Sequence, residues 1–140
     1  MLLGIDLGGT KIEGIVLKSR ENPEEVIRHR VNTEEEKGYS QVISNIKSLV
    51  DYIESNINHK FSKLGIGTPG TIDPESGLLK NSNSQCLNGM PIQKDLSKTL
   101  DKTILIQNDA NCFALAETLL GSVKDQHPNA KNVFGIIIGT

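Results

Sequence analysis

The chain lacks most of what marks a metal-binding, membrane-bound or nucleic-acid-binding protein. Its two cysteines, Cys86 and Cys112, lie far apart with no CxxC spacing, which favours reduced thiols in a cytosolic protein over a disulfide. His29, His59 and His127 are scattered without metal-ligand spacing. No apolar run reaches the roughly 18 residues a membrane span needs, and the N-terminus opens straight into a strand with no signal peptide. Charge is balanced, with 15 basic against 17 acidic residues and a net charge of −2. Neither a basic stripe for nucleic acid nor a polybasic segment for a membrane surface is present. A cytoplasmic protein with no nucleic-acid or membrane partner is expected. Its 140 residues, 36% hydrophobic and gathered in periodic runs, suffice for the core of one domain.

What is present begins at Gly4-Ile5-Asp6-Leu7-Gly8-Gly9-Thr10-Lys11. An apolar strand (Leu2, Leu3, Ile5, Leu7) runs into paired glycines, and a second (Ile12, Ile15, Val16, Leu17) leaves them. That pattern predicts a tight hairpin whose glycines take positive φ. Asp6 is a carboxylate in an apolar strand, where an unpaired buried charge would cost several kcal/mol. Bare N–H groups at Gly8 and Gly9, the Thr10 hydroxyl and the Lys11 ammonium suit phosphates, and Asp6 can hold Mg²⁺ through water. A hairpin with Asp6 capping its own turn explains this stretch equally well. The P-loop does not, because it needs four residues between its glycines and a helix after its Lys-Ser/Thr.

Further along, Val26 to Val31 reads as a third strand, with Arg28 and Arg30 on one half-exposed face. The acidic run Glu34–Glu36 reads as a solvated loop or the approach to a helix. From Tyr39, apolar residues at 39, 42, 43, 46, 49, 50, 53 and 57 keep helical spacing over five turns. A strand over Lys63–Gly67 precedes a small hairpin, in which Ile72-Asp73 and Leu78-Leu79 flank a Pro-Glu-Ser-Gly turn. Residues 81–91 are polar and irregular. A helix over about 92–100, a strand over Thr103–Gln107, a helix from Asp109 to about Leu120 and a strand over Val133–Ile138 complete the order. In the Asp109 helix the apolar positions are 112, 115, 116, 119 and 120. Three antiparallel strands followed by α/β crossovers give a mixed sheet with helices on both faces.

Gly65-Ile66-Gly67-Thr68-Pro69-Gly70 matches a dinucleotide fingerprint only superficially. The helix that must follow is replaced by a segment containing Pro74 and Gly77, and the later acidic residue is missing. What remains is exposed backbone near Gly70, beside amides and hydroxyls from Asn81 to Gln85 suited to vicinal sugar hydroxyls, or else an ordinary polar surface loop. The strand at 103–107 delivers Asn108 and Asp109 to its carboxyl edge, where open α/β sheets bind ligands. Asp109 there can accept a hydroxyl proton. Capping of the following helix by Asp109 competes with that role.

Taken together, GIDLGGTK, GIGTPG, LKNSNSQCLNGMPI, NDANCFALAE and VFGIIIGT resemble, in order and spacing, the N-terminal lobe of the ROK family of sugar kinases. The resemblance covers essentially the whole chain, 1–140, with a sugar-binding insertion at about 68–91. It implies the actin-like ATPase (ribonuclease H-like) fold, and a C-terminal lobe absent from this chain. The KNSNS…LNG segment is most similar to the bacterial fructokinase/mannokinase branch, with N-acetylglucosamine kinases as near relatives. The resemblance implies ATP-dependent phosphorylation of a hexose, at the 6-hydroxyl, by the complete protein. Gly4, Ile5, Asp6, Leu7, Gly8, Gly9, Thr10 and Lys11 would form the first phosphate loop, with Asp6 near Mg²⁺. Gly139 and Thr140 would open a second. Gly70, Thr71, Asn83 and Asn108 would bind the sugar, and Asp109 would be the catalytic base. Zinc is implied only if a C-terminal half carries the family's Cys-rich motif. A homodimer is implied for the complete protein, and no useful kinase activity for this chain alone. A sugar-responsive transcriptional regulator of the same family is the competing class. Such regulators place a winged helix before the first phosphate turn, which here begins at residue 4. A non-catalytic ATP-binding module of the same fold is disfavoured by the 81–91 loop and the Asn108-Asp109 pair.

Overall fold

A computed structural model describes residues 1–136. The N-terminal hairpin pairs β1 (Leu2–Leu7) antiparallel with β2 (Lys11–Leu17), and β3 (Glu25–Asn32) pairs antiparallel with β2. β4 (Lys63–Thr68) joins the other side of β1 in parallel, and β7 (Thr103–Asn108) joins β4 in parallel. The sheet order is therefore β3-β2-β1-β4-β7. The expected hairpin is β5 (Thr71–Ile72) against β6 (Leu79–Lys80), a separate two-stranded sheet. Its turn is tied by Asp73, which accepts from Glu75 N and Ser76 N at 3.0 Å each. No helix follows β4, so the dinucleotide reading falls as the sequence indicated.

Side-chain alternation divides the sheet into two unlike faces. Leu3, Ile5, Leu7, Ile12, Val16, Leu64, Ile66 and Ile104 point to one face and are buried. They meet the apolar stripe of α1 (Tyr39–Ile57) at Val42, Ile46, Leu49, Val50 and Ile53, and that of α2 (Ile92–Leu100) at Ile92, Leu96 and Leu100. α1 spans 19 residues and buries the face its 3.6-residue period marks out. Gly14 permits its close approach: a Cβ there would lie 2.5 Å from Ile53 Cδ1.

The opposite face carries Gly4, Asp6, Glu13, Ile15, Gly65, Gly67, Leu105 and Gln107. α3 (Asp109–Leu119) lies against it, close enough that a Cβ on Gly67 would sit 3.7 Å from Cys112 Sγ. Helices on both faces are thus observed, but the apolar positions of α3 do not form a packed core. None of its residues is buried, and Leu115 stays 60% exposed. Cys112, Leu115 and Ala116 line the cleft over this face, where Gly4, Gly65 and Gly67 offer no side chains to pack against.

A short α4 (Ser122–Gln126), not anticipated, follows α3. The strand expected over Val133–Ile138 does not form over Val133–Ile136; Ile137 and Ile138 lie outside the described residues. A strand needs a partner ladder. Here the segment instead runs beside α3, with Gly135 against Ala114 and Phe113 and with Phe134 and Ile136 exposed. No described helix is long and apolar enough to cross a membrane.

Candidate active site

The parallel pairings of β1, β4 and β7 bring their carboxyl ends to one edge of the sheet, where such sheets bind ligands. The turn Gly8–Lys11 stands at that edge. Gly8 N donates to Lys11 O at 3.0 Å, Thr33 N donates to Thr10 O at 2.9 Å, and Thr33 Oγ1 donates to Gly8 O at 2.6 Å. Two expectations are corrected here. Neither Gly8 nor Gly9 has a left-handed φ, and the Gly8 N–H is spent inside the turn. The glycines serve space instead: a Cβ on Gly8 would lie 3.0 Å from Lys11 O, and one on Gly9 would lie 3.5 Å from Ser84 Oγ. The N–H groups of Gly9 and Thr10 have no protein partner among the described residues, and Gly9, Thr10 and Lys11 are exposed. Two free N–H donors, a hydroxyl and an ammonium therefore share one exposed tip. Ile5 and Leu7 contribute backbone only, since their side chains are in the core. Gly139 and Thr140 lie outside the described residues.

Asp6 points away from the core and makes no hydrogen bond to its turn among the described residues, so it does not cap it. It belongs to a polar row across the sheet: Arg30 is opposite Glu13, Glu13 opposite Asp6, Asp6 opposite Gly67, and Gly67 opposite Gln107. Glu13 is occupied by Arg28 and Arg30. Partial burial, then the charges of Asp109 and Glu13, push the Asp6 carboxyl above its ordinary range, and Arg30 pulls it back in part. Asp6 and Asp109 line the same open cleft of about 930 Å³, between the sheet and α3.

The cap of α3 is Asn108 and not Asp109. Asn108 Oδ1 accepts from Asn111 N at 3.3 Å, and its Nδ2 donates to Gly70 O at 3.0 Å. Asp109 is the first helical residue; its Oδ1 accepts from Ala110 N at 2.7 Å. Gly70, with φ +88°, is wedged between strand ends. A Cβ there would lie 2.5 Å from Lys80 O and 2.9 Å from Ser82 N. Gly70→Ala is therefore expected to lower the melting temperature, by strain of about 1–3 kcal/mol, and a thermal unfolding curve checks it.

The 81–91 segment is not an ordinary surface loop. Ser82 and Ser84 are buried, the latter 2% exposed, and Leu87 is in the core. Asn88 ties the loop shut: its Oδ1 accepts from Ser82 N and its Nδ2 donates to Ser82 O, both at 2.9 Å. Asn83 is left exposed between the two serines, and Thr71 is exposed opposite Lys80. Glu35 also reaches this edge beside Gly9; its acidic run is the approach to α1, as one of the two sequence readings had it, but carries more than a solvated surface.

Three antiparallel strands continued by two parallel ones, with the glycine turn in the first hairpin, make this an actin-like ATPase domain of mixed α/β class. The sequence pattern of the ROK family matches residues 2–140, and the chain belongs to that family. An N-acetyl-D-glucosamine kinase of Aliivibrio salmonicida is 37% identical over 140 residues, which is all of this chain and 44% of that protein. The chain thus spans less than half the length of the curated relatives it matches. Among solved structures, a ROK hexokinase from Thermus thermophilus matches 83% of this chain and 37% of its own, with TM-score 0.71 and 29% identity. An inorganic polyphosphate/ATP-glucomannokinase from Arthrobacter sp. strain KM matches 86% of this chain and 49% of its own, with TM-score 0.72 and 26% identity.

Proposed function

We propose that this chain is the N-terminal lobe of an ATP-dependent sugar kinase that phosphorylates a hexose or N-acetylhexosamine at its 6-hydroxyl. The observation that carries this reading is the opening of Asp6 and Asp109 onto one cleft, below a turn with two unpaired N–H donors.

The residues fit a Mg²⁺-bound nucleotide. The Gly9 and Thr10 N–H groups and Lys11 would receive phosphate oxygens, and Asp6 would approach the metal. Such an ion would be held by phosphates, water and the Asp6 carboxylate. Bound Mg²⁺ would neutralise phosphate charge as the phosphoryl group moves. Such transfer is governed by positioning and charge stabilisation. Asp109 orients the attacking hydroxyl and takes its proton, while Asn108 holds the Gly70 strand end and the start of α3 in register. Gly70, Thr71, Asn83 and Asn108, at the same sheet edge beside that cleft, would contact the sugar.

N-acetylglucosamine is the first substrate to test, because relatives 37% identical carry that name. The Lys80–Gly89 segment, with its fructokinase/mannokinase resemblance, favours fructose or mannose as the second reading. A turnover assay of the whole protein with ATP against N-acetylglucosamine, glucose, mannose and fructose decides it. ATP-dependent phosphorylation of at least one is expected, with kcat/KM for the preferred sugar at least about tenfold above the next. No turnover with any of them would count against the reading.

A further inference from the structure

After β3 the chain reverses at Glu34, which has a left-handed φ of 56°. The short turn Glu35–Lys37 then sends Glu36 and Lys37 outward and Glu35 inward. Both Glu35 carboxylate oxygens lie 3.8 Å from the point where Gly9 would bear a Cβ, and Ser84 Oγ lies 3.5 Å from the same point. Glu35 Oε2 is buried with no hydrogen-bond partner, the single such side-chain atom among the described residues. A buried carboxylate oxygen without a donor is costly and seldom kept without a use.

The surroundings narrow what the missing donor is. The cations nearest in sequence are engaged elsewhere: Lys37 with Glu34, and Arg28 and Arg30 with Glu13. No described cluster of metal-ligating residues accompanies Glu35, so a divalent cation would find one carboxylate and little else. A nucleotide phosphate oxygen is an acceptor and cannot be the missing donor. What fits is a neutral donor, a hydroxyl or an amide N–H. The 81–91 loop beside it supplies the complementary hydroxyls and amides at Asn83 and Ser84. The field of Glu35 reaches that loop, because burial and then the Glu35 charge push the Cys86 thiol up.

We propose that Glu35 is a substrate-recognition residue, whose carboxylate accepts a hydrogen bond from a sugar hydroxyl or N-acetyl N–H held between the phosphate turn and the 81–91 loop. This deepens the sugar-kinase reading and rests on it. In addition to Asp109, it would give the sheet edge a sugar acceptor beside Gly9, next to the residues that line the Asp6–Asp109 cleft and not among them.

The test is isothermal titration of the whole protein, without nucleotide, with N-acetylglucosamine, glucose, mannose and fructose, alongside ATP titration and thermal unfolding. Glu35→Gln is expected to raise the Kd of the sugar the wild type binds by about 10- to 100-fold. Its ATP affinity should stay within about twofold and its ligand-free melting temperature should be unchanged or higher. Glu35→Asp, which keeps the charge, should fall between the two. An unchanged sugar Kd in Glu35→Gln, with the wild type binding, overturns this assignment and leaves the kinase reading standing. Equal losses of sugar affinity, ATP affinity and melting temperature would mark a structural carboxylate and also overturn it. A wild type that binds none of the four sugars overturns both.

Discussion

Asp109→Asn in the whole protein is expected to lower kcat by about 10²- to 10⁴-fold while the sugar Kd moves by no more than a few-fold. The geometry makes this substitution a clean one. Asn108, not Asp109, caps α3 and holds the Gly70 carbonyl, so the helix start survives. Asparagine at 109 keeps an oxygen for the Ala110 N–H that Oδ1 now accepts at 2.7 Å. What it removes is the ability to take a proton from a hydroxyl in the cleft it shares with Asp6. A loss confined to kcat identifies an interaction made in the transition state and not in the ground state. Steady-state kinetics together with sugar titration separate the two, and a near-normal kcat would return Asp109 to a helix-start residue with no part in chemistry.

Elements that bury one face of a regular repeat were legible because the period is written in the residues. α1 shows every apolar position of its stripe, and the strands around Ile5, Ile15 and Ile66 alternate as their faces require. The regularity hid which face would be covered. In α3, Leu115 and Leu119 keep helical spacing yet remain exposed, and beneath Leu115 the sheet is floored by Gly4, Gly65 and Gly67. Periodicity reports a helix but not its partner. Over Val133–Ile136 the expected strand is missing for the same reason, an apolar stretch with no ladder beside it among the described residues.

At the site, residue types were read more successfully than their tasks. Asp6 and Asp109 were singled out and do open onto one cleft, but the capping role expected of Asp109 belongs to its neighbour. A one-residue shift of that kind depends on where the β7 ladder ends, which no local pattern encodes. The Gly8–Gly9 turn was recognised, yet its need for glycine lies in contacts with Lys11 and Ser84, the second 75 positions away in the chain. Glu35 was passed over because three consecutive glutamates read as solvent-facing. Only the left-handed reversal at Glu34 turns one of them inward.

Glu54 was likewise invisible in the sequence, where it is one acidic residue on the flank of an amphipathic helix, and replacing it is expected to cost as much stability as truncating a core leucine. Its side chain is 2% exposed. Oε1 accepts from Phe61 N and Lys102 Nζ, Oε2 accepts from Lys60 Nζ, and all three distances are 2.8 Å. Lys102 also donates to Phe61 O at 2.8 Å. One carboxylate thus joins the end of α1, the entry to β4 and the entry to β7, the connections that keep the two parallel strands in register. Burial alone would push the Glu54 carboxyl up, but the hydrogen bonds from Lys102, Lys60 and the Phe61 N–H hold it at about 2, against an ordinary 4.5. Because the folded value is the lower one, the stabilisation is complete above pH about 4.5 and disappears as pH falls toward 2. It amounts to about 3 kcal/mol over that window. Glu54→Ala at pH 7 leaves Lys102, whose side chain is 10% exposed, as an unpaired buried cation. A loss of about 3–5 kcal/mol follows. The partners should differ sharply. Lys60 is 76% exposed, so Lys60→Ala should cost less than about 1 kcal/mol, whereas Lys102→Ala should approach the Glu54 value. Lys102→Met combined with Glu54→Met, which removes both charges and keeps apolar volume, should recover most of the loss. Urea unfolding midpoints of the whole protein, monitored at pH 7 and again at pH 3, check each arm. If Glu54→Ala and Lys60→Ala shift the midpoint equally, the carboxylate is solvated and the three-way tie does not hold these elements together.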